Sequence, residues 1–156
     1  MDPAAVRLPK KPIDSSIARL VRMRPPADPD ARTSRLPPLE TTLWRVRARL
    51  IGYRLEPDSD FHLVLADPAT GDSMIAEIPA SYCTTSPEAQ NFTAARASVV
   101  RIGKHPAEKR YFWWLDYRGA TPPTVTITGY GFWDSEHGQR GASTNGAELH
   151  PVLSVQ

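Results

Sequence analysis

Two stretches of this chain bring chemically able side chains close together. EPDSDFH holds Glu56, Asp58, Asp60 and His62, and HGQRGASTNGAELHPV holds His137, Asn145, Glu148 and His150. Asp58 and Asp60 supply hard oxygen donors at one-residue spacing, as Ca²⁺ or Mg²⁺ prefers. His62, His137 and His150 are instead ligands for Zn²⁺. No HxH or HxxxH spacing joins these histidines, so any metal must be assembled from separate elements. A metal on Asp58 and Asp60 would activate water, with His137 or Glu148 as general base, which is the chemistry of a metal-dependent hydrolase such as a phosphodiesterase. Without a metal, the two loops read as a binding face. Asp58, Asp60, His62, His137, Asn145 and His150 would then hydrogen-bond a ligand, and Trp133 would stack on a base or a sugar. Turn chemistry is the third reading: DSD as an Asx turn, Asn145-Gly146 as a hairpin turn, and His62 and His150 as half-buried strand residues. No GxSxG, no phosphate-cradling Gly-rich loop with Lys and no CxxC is present.

These loops need elements to position them. TTLWRVRARLIGYRL alternates Leu43, Arg45, Arg47 and Arg49 against Trp44, Val46, Ala48 and Leu50, the pattern of a half-buried strand, and Gly52 marks a bulge. FHLVLAD and SMIAEIP follow as strands two and three, separated by the PATGD turn. Ser86 as cap, Pro87 at the first helical position and Glu88 in the first turn open a helix. Its apolar face is Phe92, Ala95, Val99 and Ile102, and Gly103 stops it. TVTITGYGFWD and AELHPVLSV are the last two strands. In GYGFWD, alternation sends Tyr130 and Phe132 to one face and Gly129, Gly131 and Trp133 to the other, where the glycines admit a ligand or another backbone.

Three strands, a helix and two strands is the element order of an OB-like five-stranded Greek-key barrel. In that fold the loop between strands one and two and the loop between four and five flank one face, so the two chemical stretches converge there. Ahead of the barrel domain (39–156), residues 1–38 read as a basic arm. It has a short helix at about 14–23, capped by Asp14 or Ser15, then a Pro-rich linker over 24–38. The arm carries eight Lys/Arg against four Asp, whereas the remainder carries eleven against thirteen acids. The body therefore offers no electrostatic reason to bind a phosphate backbone.

Of 156 residues, 16 are Pro, which excludes a mostly helical fold. No apolar run approaches the ~20 residues of a membrane-spanning helix. No signal peptide is visible, which reads as cytoplasmic, or as secreted if the chain is a trimmed mature form. The single Cys83 excludes an internal disulfide and reads as a small buried hydrophobe.

DSDFHLVL resembles the acidic turn of staphylococcal-nuclease-type enzymes, OB-folds that hold Ca²⁺ on such acids. The arginine those enzymes carry on the following strand is missing, since SMIAEIP offers only Glu77. More of the chain, about 39–155 without 104–123, resembles a family of uncharacterised bacterial proteins, often secreted. Their pattern runs DSDxHLVL, MIAEIP, then GxGFxDxxHGQxGxAxNGxELHPV. Asp58, Asp60, His62, Glu77, His137, Gln139, Asn145, Glu148 and His150 match it, and the resemblance assigns them no roles. YFWWLDYRG is an insertion relative to that pattern.

The sequence is thus read as a monomeric OB-like binding module, its ligand a nucleic acid or a saccharide and its cofactor none or a divalent metal. The alternatives are the metal-dependent hydrolase, and a structural protein-interaction domain using the arm and the aromatic residues 111–115.

Overall fold

Alternation along the arginine-rich segment produces the longest strand. The computed structural model describes residues 8–30, 34–85, 87–104, 115–116, 121–135 and 138–156. A short strand β1 (Ile13–Ser15) and a one-turn helix α1 (Ile17–Leu20) precede β2 (Leu43–Leu55), β3 (Phe61–Ala66) and β4 (Ser73–Ile78). A 3-10 turn (Ser81–Cys83), helix α2 (Glu88–Gly103), β5 (Leu115–Asp116), β6 (Thr124–Trp133) and β7 (Ala147–Val155) complete the chain. Strand order is β1-β2-β3-β4-β7-β6, and β2 also pairs β6. Five strands, β2, β3, β4, β7 and β6, therefore close on themselves. β4 and β7 pair in parallel and the other barrel neighbours are antiparallel. This is a closed five-stranded barrel of OB-like order with its helix between the third and fourth barrel strands. Among the described residues, no helix is long and apolar enough to cross a membrane.

The interior collects every second residue of each strand. Val46, Ala48, Leu50, Leu63, Leu65, Met74, Ala76, Ile78, Ile127 and Leu149 are all at most 1% exposed. At ~25 cal/mol per Å² of apolar surface removed from water, this burial is the main favourable term in folding. The expected bulge falls in β2, where register with β3 shifts between Leu50 and Gly52.

Three local expectations change. The arm helix covers Ile17–Leu20 rather than 14–23, because Ile13–Ser15 stays extended and pairs in parallel with Trp44–Val46. Ser16, not Asp14 or Ser15, is its cap, accepting from the Arg19 amide. Gly103 does not stop α2 by its own backbone. Lys104 takes the left-handed conformation, at φ 59°. Gly103, the last helical residue, is there for space, since any Cβ at that position would clash with the Tyr53 ring and hydroxyl. Cys83 is exposed on the 3-10 turn rather than buried. Ser86 and residues 111–114 lie outside the described residues.

The arm is packed rather than splayed. Ile17 and Leu20 are fully buried in the same core as the barrel strands. Asp67, at the end of β3, accepts the amides of Ala18, Ala69 and Thr70. Further along, Leu39 is fully buried and Glu40 is 1% exposed. The Glu40 carboxylate accepts the Leu36 amide at 2.6 Å and the Trp133 amide at 2.9 Å, tying residues 34–40 to β6. Gly131 leaves room for that strap, since a Cβ there would meet the Leu39 carbonyl at 2.3 Å. The close approach expected at this glycine is made by the chain's own backbone.

Candidate functional site

Strand register sets a belt of outward residues across the barrel. Arg54 on β2 stands opposite His62 on β3, and His62 opposite Glu77 on β4. β7 runs parallel beside β4, and Glu148 on β7 stands opposite Phe132 on β6. Between Leu149 and Val152, two β7 residues, His150 and Pro151, oppose the single Tyr130. Alternation along β7 puts Glu148 and His150 on one side while Leu149 fills the core, and the bulge follows at His150 and Pro151.

The belt is tied together at its polar tips. His62 is 2% exposed, and its Nε2 lies 3.0 Å from the Arg140 carbonyl, which can only accept. Its Nδ1 faces Glu77 Oε1 at 3.3 Å and Glu56 Oε1 at 3.7 Å. A ring with an acceptor at each nitrogen can donate to both only when protonated. Burial alone would oppose that charge, but Glu77, the Arg140 carbonyl and Glu56 outweigh it and raise the His62 pKa above its ordinary value. Burial works against the Glu77 carboxylate too, yet His62 and His150 hold its pKa low. His150 Nδ1 stands 3.4 Å from Glu77 Oε2 and 3.6 Å from Glu148 Oε1. Its pKa is raised against the effect of burial, by Glu148, Glu77 and Asp60. Glu148 is 5% exposed, and that burial lifts its carboxyl pKa.

Asp60 approaches from the β2–β3 turn. Its Oδ1 accepts the Ala80 amide, and Arg96 Nη2 lies 3.9 Å away. Arg96 is itself fixed against the Phe61 ring, donating to the carbonyls of Ser59, Ile78 and Pro79. Burial, with Asp58 and Glu77 nearby, keeps the Asp60 carboxyl pKa above its ordinary value. Asp60, Glu77 and His150 together offer one donor atom each, all within 4.8 Å of one another.

This cluster borders a cleft of about 360 Å³ lined by residues of both loops and three strands. Asp58 comes from the first loop, Asp134 and Gln139 from the second, and Glu77, Glu148 and Phe132 from the strands, with Arg35 of the strap at one side. The two chemical stretches therefore do line one cleft. Within it, Asp58 holds an Asx turn by accepting the Asp60 amide and stands outside the three-donor cluster. Asn145 is absorbed by structure. Its Nδ2 donates to the Leu20 and Met23 carbonyls at the end of α1, and its Oδ1 accepts from Ala147 N and Ser143 Oγ. Trp133 faces the core, 4% exposed, and Phe132 is the aromatic on the cleft. His137 lies outside the described residues.

Sequence reasoning gave Arg54 and Arg96 no part in the site and named Glu56 and Glu77 without assigning them a role. Alternation in SMIAEIP already sends Glu77 outward, and the short turn before it fixes which β3 residue it meets. That register was the available signal. No protein-family model, curated protein or solved structure matches this chain. The class defined by fold and site is an OB-like barrel with an acidic, histidine-bearing cleft on its outer wall.

Proposed function

We propose that this barrel binds a divalent metal ion at Asp60, Glu77 and His150, and that the metal helps the cleft hold a polar, uncharged ligand of saccharide type. The observation that carries this is the convergence of three donors within 4.8 Å. Donors about 2.0–2.2 Å from a tetrahedral ion stand roughly 3.4 Å apart. The separation between His150 Nδ1 and Glu77 Oε2 is 3.4 Å. Supporting groups orient each ligand, as metal sites require: His62 on Glu77, and the Ala80 amide on Asp60. Like charges crowd here, and a cation relieves them. An imidazole with two carboxylates favours Zn²⁺ or Mn²⁺ over Ca²⁺.

Asp58, Asp134 and Glu148 around the centre repel phosphates, which argues against nucleic acid in this cleft. Carboxylates accept sugar hydroxyls, Arg35 and Gln139 donate to them, and Phe132 supplies an apolar wall. The metal-dependent hydrolase is favoured by one observation. Glu148 is a buried carboxyl whose Oε1 stands 3.6 Å from His150 Nδ1, within reach of the place where a metal would activate water. In that reading Glu148 is the base, and Asp60 with Glu77 and His150 replaces the Asp58–Asp60 pair.

Calorimetric titration of metal-free protein with Zn²⁺, Mn²⁺, Ca²⁺ and Mg²⁺ tests the centre. One site per chain is expected, weakened at least ~100-fold by Glu77→Gln. Binding also raises thermal stability, by about 2.7 kcal/mol at a hundredfold excess over Kd. If all four ions leave both heat and melting temperature unchanged, the proposal is wrong.

A further inference from the structure

We propose that the outer face of β2 binds the phosphodiester backbone of a nucleic acid strand through Arg45, Arg47 and Arg49. The proposal is independent of the metal reading of the cleft. All three arginines are exposed on one side of β2, while Val46, Ala48 and Leu50 between them fill the core. Residues two apart on a strand stand about 6.6–6.8 Å apart, the scale on which phosphates recur along an extended single strand. Across the β2–β6 ladder, Arg45, Arg47 and Arg49 face Thr128, Thr126 and Thr124, so hydroxyl donors flank the row on that side, and on the other side Asp14 of β1 is in register with Arg45.

Arg47 and Arg49 make no ion pair with any described residue, whereas Arg45 is bidentate to Asp14, at 2.5 and 2.9 Å. That pair is solvent-exposed, with side chains 45% and 73% accessible, so Arg45 exchanges it for a phosphate at little cost. Lys10 and Lys11 are exposed just ahead of β1, which runs parallel to β2, and add positive charge near that edge. The face is a rigid row, its spacing fixed by two ladders, which fits a linear polyanion better than a lipid plane. Guanidinium forks grip phosphate oxygens bidentately. Among the described residues no aromatic stands among these arginines and threonines, so contact is with backbone rather than bases, indifferent to sequence and sensitive to salt.

The test is fluorescence anisotropy of the full chain with a labelled mixed-sequence single strand of about 16–20 nucleotides. Expected is binding whose log K falls with log salt at a slope of about −2, the value for three phosphate contacts on a single strand. Arg47→Glu with Arg49→Glu should weaken it at least ~10-fold, Asp14→Asn should strengthen it, and Glu77→Gln should leave it unchanged. Both reversed positions are exposed, and circular dichroism verifies that the double variant folds. A parent chain that does not bind, or a double variant that binds as the parent does, overturns the proposal. Capture by phosphatidylserine vesicles without strand binding also overturns it, in favour of a membrane surface.

Discussion

The cleft and the β2 face share one barrel and differ in how their charges are held. At the cleft's centre the histidines and carboxylates are held by polar partners: His62 by Glu77 and the Arg140 carbonyl, His150 by Glu77 and Glu148, Asp60 by the Ala80 amide. On the β2 face, Arg47 and Arg49 point into solvent. Pinned, half-buried groups lose little freedom when they capture an ion, so the cleft suits a compact ligand of defined geometry. Exposed, mobile guanidinium groups suit an extended ligand met by charge alone. The opposite signs also keep the two ligands apart, since an anion attracted to β2 is repelled by the cleft.

The sharpest way to disturb this difference is through the strap that carries Arg35 to the cleft. Glu40→Ala leaves the half-buried Leu36 amide and the buried Trp133 amide without their acceptor. The expected loss is about 3 kcal/mol, read by urea unfolding, whereas the exposed double arginine reversal should cost under about 0.5 kcal/mol. Equal losses would mean that the strap is not structural.

Second in size is His62→Ala. Removing a group that orients a metal ligand typically costs 10–100-fold in metal affinity, so that range is expected for the metal, with strand binding at β2 unmoved. If metal affinity holds, His62 is a packing residue and does not position Glu77.

The smallest effect lies between the two regions, at Asp67. Burial alone would raise its pKa, but the amides of Ala18, Ala69 and Thr70, with Arg22, lower it below 3.8. A depressed carboxylate contributes stability that is complete above the unfolded pKa and lost as pH falls through the folded one. Acid unfolding below about pH 4 should therefore be shallower in Asp67→Asn, and an unchanged acid limb would remove Asp67 as the tie between α1 and the barrel.

The row of Arg45, Arg47 and Arg49 was legible in the sequence, because alternation is local, but net charge counted over the whole body hid it as a phosphate-binding face. The barrel's element order was legible for the same reason. The cleft was only half so. Its two loops follow from strand order, and alternation puts Glu148 and His150 on one face of β7, but which residues of other strands stand beside them depends on register. Glu77 meets His62 through hairpin pairing, and β4 meets β7 at Ala76 and Leu149. Asn145 read as a ligand-binder because its hydrogen-bond partners, at Leu20 and Met23, are more than 120 residues away. Trp133 and Phe132 were placed on opposite faces correctly, but which face met the core could not be told without the strap at Leu39.

The central claim is that Asp60, Glu77 and His150 form a metal centre, and titration of metal-free protein with Zn²⁺ and Mn²⁺ tests it most directly. The account predicts one site per chain, lost in Glu77→Gln and retained in Arg47→Glu/Arg49→Glu. Equal binding by the parent and Glu77→Gln, or by neither, would contradict it.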